Sequence, residues 1–121
     1  MEGFVGDYAG CVKQPDMCFV PRVGPDWDVN ADFPSVVLEV GYAESVARLT
    51  EDGELWRKGS SHAVKVVLLV KFRRHGQNSM GVVLSIGRAF PDLNGQTTLY
   101  QDYVSFSCIP ILLLSLLICE L

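Results

Sequence analysis

Two carboxylates stand where a hard divalent cation could use them. Asp16 closes the segment Lys13-Gln14-Pro15-Asp16, and Glu39 lies inside the apolar run Val36-Val37-Leu38-Glu39-Val40. A carboxylate within an apolar strand must reach solvent, pair with another group or hold an ion, because burying it alone is costly. Mg²⁺ takes oxygen ligands and commonly uses one or two carboxylates while keeping several waters. In that setting it can activate a water and stabilise charge developing on a phosphate. Asp16 and Glu39 are therefore the candidate Mg²⁺ ligands. Other chemistries find no motif. His62 and His75 stand outside any HxxxH or H-x-E context, and no phosphate-binding glycine loop or Gly-x-Ser-x-Gly elbow occurs. Cys11, Cys18, Cys108 and Cys119 fit no C-x-x-C spacing and are expected to be reduced thiols.

The elements that must position these groups read as α/β. Lys13–Arg22 carries Pro15 and Pro21, which confine it to an edge strand or extended loop. Val23–Pro34 is rich in turn formers and is expected as a loop. Ser35–Val40 is β-branched and reads as a strand, with Val37 and Glu39 on one face and Val36, Leu38 and Val40 on the other. Ser45 suits an N-cap, and Val46, Leu49, Gly53 and Trp56 recur at helical spacing, predicting a helix to about Lys58 that ends at Gly59. Glu51, Asp52 and Glu54 make its outer side acidic, and Arg57 and Lys58 suit the dipole of the last turn. Ala63–Phe72 is nearly all apolar and predicts a central strand buried on both faces. A turn over Arg73–Ser79 and a returning strand over Val82–Ile86 follow. Strand, helix, strand in that order implies a parallel crossover unit.

Together, KQPD, PSVVLEVGYAES, the helix with L-x-x-D-x-x-x-W, and VKVVLLVKF resemble fungal proteins related to the Uma-type putative restriction endonucleases of the PD-(D/E)XK superfamily. The likeness covers Lys13 to Phe72 and extends loosely to Ile86. It implies a restriction-endonuclease-like central mixed sheet with one crossover helix, with Asp16 as the first metal-binding aspartate and Glu39 as the acidic residue of the (D/E)XK strand. Asp26, in the second Pro-Asp pair, competes for the first role from a more turn-like stretch. The catalytic lysine expected two residues after Glu39 is replaced by Gly41, and the helix position commonly used instead carries Asp52. Lys65, on the central strand, is the candidate to replace it; Lys58 and Lys13 are the others. The helix that normally opens the superfamily core is expected to be missing, with residues 1–12 left as an extension. The resemblance thus implies a degenerate nuclease-like domain, weak or inactive in phosphodiester hydrolysis, with a non-catalytic interaction scaffold as the alternative.

Composition bounds these expectations. With 121 residues, 49% of them hydrophobic, the chain has room for one modest core. The net charge of -4 and pI of about 5.0 give no overall positive field toward DNA, the partner the resemblance implies. Residues 13–86 are expected as the core, 87–103 as a loop region, and 104–121 as an apolar segment that completes the core as helix or strand. That segment is shorter than the roughly 20 apolar residues of a span and lacks flanking Lys or Arg, so a tail anchor is the lesser expectation. The N-terminus lacks the basic and apolar regions of a secretory signal, which makes an intracellular location the expectation.

Overall fold

The computed structural model describes residues 1–42, 44–91 and 97–110; for His75 and from Ala89 onward it describes the backbone alone. Its centre is the expected crossover. Strand β4 (Val36–Gly41) leads into helix α1 (Val46–Glu54) and returns as β5 (Val66–His75), which pairs with β4 in parallel. Before them come β1 (Met17–Phe19) and the two-residue strands β2 (Arg22–Val23) and β3 (Val29–Asn30). After them come β6 (Ser79–Pro91) and β7 (Thr97–Pro110). The main sheet is mixed, in the order β1-β4-β5-β6-β7, and only the β4–β5 pair is parallel. β2 and β3 form a separate antiparallel ribbon within the stretch expected as a loop. A mixed sheet with one crossover helix is thus present.

β5, the most apolar stretch, takes the middle of the sheet. The period-two alternation of strands then sorts its neighbours. Val37, Glu39, Val67 and Leu69 are buried on one face, whereas Val36, Leu38, Val40, Val66, Leu68 and Val70 on the other are half-buried. The buried face receives α1, and the core gathers Phe4, Val37, Leu49, Trp56, Val64, Val67 and Leu69. On the opposite face, Met17 and Phe19 of β1 stay largely exposed beside a groove they share with Val36, Leu38 and Leu68.

Several elements depart from the sequence expectation. Ser45 caps α1 as expected, its hydroxyl accepting from Arg48 N at 3.2 Å, yet Val46 remains 46% exposed rather than joining the buried stripe. After Glu54 the helix widens into a π-helical turn, Leu55–Gly59. The wider turn changes the angular phase of the residues that follow, and Arg57 is turned inward instead of lying in a solvated last turn. Gly59 does not end the helix in a left-handed conformation; Ser61 and His62, with φ of 52° and 64°, do so. Their amides donate to Lys58 O and Arg57 O, satisfying the last helical carbonyls. Arg73 and Arg74 lie in β5, and the turn is Gly76–Asn78. Residues 87–103, expected as a loop, include the end of β6 and the start of β7. Their β-branched and aromatic content (Phe90, Thr97, Thr98, Tyr100, Tyr103) suits strands. The expected core-completing segment is strand from Val104 to Pro110, and residues 111–121 lie outside the described residues. Among the described residues no helix is long and apolar enough to cross a membrane.

The N-terminal stretch is bound into the core. Met1 N donates to Lys13 O at 2.6 Å, Lys13 N to Met1 O at 2.9 Å, and Val5 N to Gly59 O at 2.8 Å. Phe4 packs edge-on against both Phe33 and Trp56, with ring centroids 5.2 and 5.4 Å away. A Cβ at Gly59 would lie 2.9 Å from Phe4 Cδ1 and 3.1 Å from Tyr8 Cβ, closer than side chains tolerate. Gly59→Ala is expected to destabilise the fold by about 1–3 kcal/mol through overpacking, read as a lower urea midpoint at unchanged slope.

Candidate functional site

Pro15 lacks an amide hydrogen, so the antiparallel pairing of β1 with β4 cannot continue through it. Asp16, just before β1, extends that pairing with its side chain: Val40 N donates to Asp16 Oδ2 at 2.7 Å. The next residue, Met17, faces Leu38 across the ladder, which places Asp16 beside the Glu39–Val40 end of β4. Asp16, just before β1, and Glu39, on β4, are therefore neighbours. Their environments differ. Asp16 is exposed, whereas Glu39 is 5% exposed beneath the helix.

Glu39 lies within a small polar network. Trp56 Nε1 donates to Glu39 Oε1 at 2.5 Å, joining the π-helical turn to β4. Lys13 Nζ lies 4.0 Å from the same oxygen and 2.7 Å from Asp52 Oδ2. The ammonium thus bridges the buried carboxylate and the partly buried aspartate of α1. Burial is the main influence on Glu39 and pushes its carboxyl above the ordinary 4.5; the Trp56 hydrogen bond and Lys13 pull it down, and Asp16 and Asp52 add to the rise. Desolvation prevails because a carboxylate loses more hydration under the helix than one N–H and one ammonium at 4.0 Å return.

The lysine candidates separate clearly. Lys65 Nζ donates to His62 O at 2.7 Å and serves the turn after the helix. Lys58 pairs with Glu54 at 3.3 Å on an exposed helix face. Only Lys13 approaches Glu39. Its place depends on the N-terminal stretch being held by Met1, Val5 and Phe4, a set of long-range contacts that a Gly-rich sequence does not announce. Asp26, the competitor for Asp16, lies in the exposed connection between β2 and β3. Trp56 was legible as core from its spacing, but its bond to Glu39 was not.

With Asp16 Oδ2 taken by Val40 N and Glu39 Oε1 by Trp56, Asp16 Oδ1 and Glu39 Oε2 remain for an ion. One or two carboxylates suit Mg²⁺, which retains much of its water. Among the described residues no group of three or more His, Cys, Asp or Glu side chains forms a closed metal site. Comparison with protein-family models, curated proteins and solved structures gives no match to this chain.

The raised Glu39 carboxyl has a defined consequence for stability. Because the folded chain binds this proton more readily than the unfolded chain, the group's favourable contribution is complete below about 4.5, the ordinary value. It is lost as pH climbs through the higher folded value. Glu39→Gln retains an acceptor for Trp56 and removes the titration. The stability of Glu39→Gln relative to the parent is expected to rise between pH 4.5 and the folded value, then level off, in urea titrations across pH.

Proposed function

We propose that this chain is a degenerate nuclease-like domain that holds a divalent cation through Asp16 and Glu39 and hydrolyses phosphodiesters poorly or not at all. The observation that carries this reading is that Asp16, bonded to Val40 N, and Glu39 meet at one end of β4, with the Lys13 ammonium 4.0 Å from Glu39 Oε1. The donor set fits Mg²⁺ in kind: two carboxylate oxygens remain for the ion, and the exposed Asp16 leaves a route for its waters. When bound, the ion would supply charge for a phosphate and lower the pKa of a water. Among the described residues, Lys13 is the one cationic side chain paired with Glu39 that could offset charge on such a group.

The same network explains why activity should be slight. Lys13 Nζ is drawn to Asp52 Oδ2 at 2.7 Å, so its charge is largely engaged before any phosphate arrives. Glu39 is buried and hydrogen-bonded, with its carboxyl pushed toward the protonated form. DNA is the substrate that the likeness to PD-(D/E)XK proteins suggests, and the acidic balance of the chain weakens its attraction to that polyanion.

A non-catalytic scaffold is the second reading, favoured by the engagement of Glu39 Oε1 with Trp56 Nε1 as a structural tie. Titration calorimetry with Mn²⁺ and Mg²⁺ distinguishes the two. Under the metal-binding reading the parent binds Mn²⁺, Asp16→Asn weakens binding at least ~10-fold by removing one charged ligand, and Glu39→Ala abolishes it. No binding by the parent, or binding unchanged in both variants, would leave the scaffold reading. In a parallel plasmid assay the parent is expected to cut little or nothing.

A further inference from the structure

We infer that a cleft between α1 and the β5–β6 part of the sheet binds a short-chain carboxylic acid in its anionic form, tail inward. The cleft follows from how much of the sheet one short helix can cover. α1 contacts β4 and β5, while β6 continues the same face beyond it. Leu69, Val83 and Ser85 form the floor, Val46, Leu49 and Thr50 the helix wall, leaving a mainly apolar cleft of about 200 Å³.

Among the described residues its charged side chains are both cationic: Lys71 and Arg73 border the cleft from successive positions on the helix-facing side of β5, and no acidic side chain among the described residues lines it. This is unusual in a chain of net charge -4. Lys71 Nζ donates to the carbonyls of Tyr42 and Glu44, which hold the ammonium in place without neutralising it and leave its third hydrogen. Arg73 is exposed, and no carboxylate among the described residues forms an ion pair with it. A guanidinium offers two parallel donors to a carboxylate. An apolar floor with cations at the border matches a ligand with one anionic end and a short hydrocarbon tail. A bare phosphate would leave the floor unused, and a neutral alcohol would leave the cations unused.

Hexanoate is the probe, added to the full chain and followed by chemical-shift changes of the Leu69 and Val83 methyl groups. Saturable binding with a Kd on the order of 1 mM or tighter is expected for so small a ligand. Hexan-1-ol and inorganic phosphate should each bind at least ~10-fold more weakly, the loss expected when a charge-assisted bond or the apolar contact is missing. Arg73→Glu, at an exposed position, should weaken hexanoate at least ~10-fold by reversing one border charge, and Val46→Trp should reduce binding by filling the wall. Equal binding of the alcohol, insensitivity to Arg73→Glu, or no saturable shift overturns the assignment. Because none of these residues belongs to the Asp16–Glu39 pair, the outcome is independent of metal binding.

Discussion

The carboxylate of Glu39 lies on β4, beside the central strand and under a helix, and must be held there by partners because a buried charge left alone costs several kcal/mol or neutralises itself. Trp56 supplies the hydrogen bond and Lys13 the opposing charge. These two partners come from opposite directions in sequence: one from the end of the crossover helix, the other from the N-terminal stretch. To satisfy one acidic side chain, the fold must bring together β4, the π-helical turn and the segment before β1. Phe4 contributes from the apolar side by packing against the same Trp56 ring. The polar and apolar contacts therefore fix one geometry between them.

The arrangement of charges also shows where a cation near Glu39 comes from. Gly41, two residues after Glu39, and Asp52 of α1 supply none. The ammonium nevertheless reaches this region from Lys13, and Asp52 is its closest partner at 2.7 Å. An acid on the helix and a base on the N-terminal stretch pair beside Glu39. The pairing matters for chemistry, since a cation paired with an aspartate is less available to a phosphate than an unpaired one. The core around Glu39 thus supplies one hydrogen bond and one opposing charge, and desolvation still holds its carboxyl above the ordinary value.

On the same face of the sheet, the limited length of α1 produces a second site. Nine helical residues and one π-helical turn cover β4 and β5, and Arg57 extends from that turn over Gly87 of β6, where a Cβ would be 2.7 Å from its Nη1. Ahead of Arg57, toward the start of the helix, the face stays open as the cleft bordered by Lys71 and Arg73. Glu39 and Leu69 are register partners, so the acidic network and the basic cleft occupy adjoining parts of one surface. Their opposite charge follows from strand alternation, which sends Lys71 and Arg73 to the helix side.

Much of the framework was determined by the sequence itself: the β4–α1–β5 crossover, the Ser45 cap, β5 as a central strand and Val37 with Glu39 on one face. These depend on local propensity and on periods of two and 3.6, which short windows of sequence contain. The edge position of β1 was likewise legible from Pro15 and Pro21. Only the tertiary structure decided which groups meet Glu39, that Lys65 serves a turn instead, and that Arg57 lies inward. Those outcomes depend on contacts between residues far apart in the chain and on a π-helical turn that shifts the helix phase. The strand at β7 escaped for a related reason: its side of the sheet exists only once β6 is in place to pair with it. Composition gives each side chain its chemistry, but the long-range packing of Phe4, Lys13 and Trp56 decides which chemistry Glu39 can have.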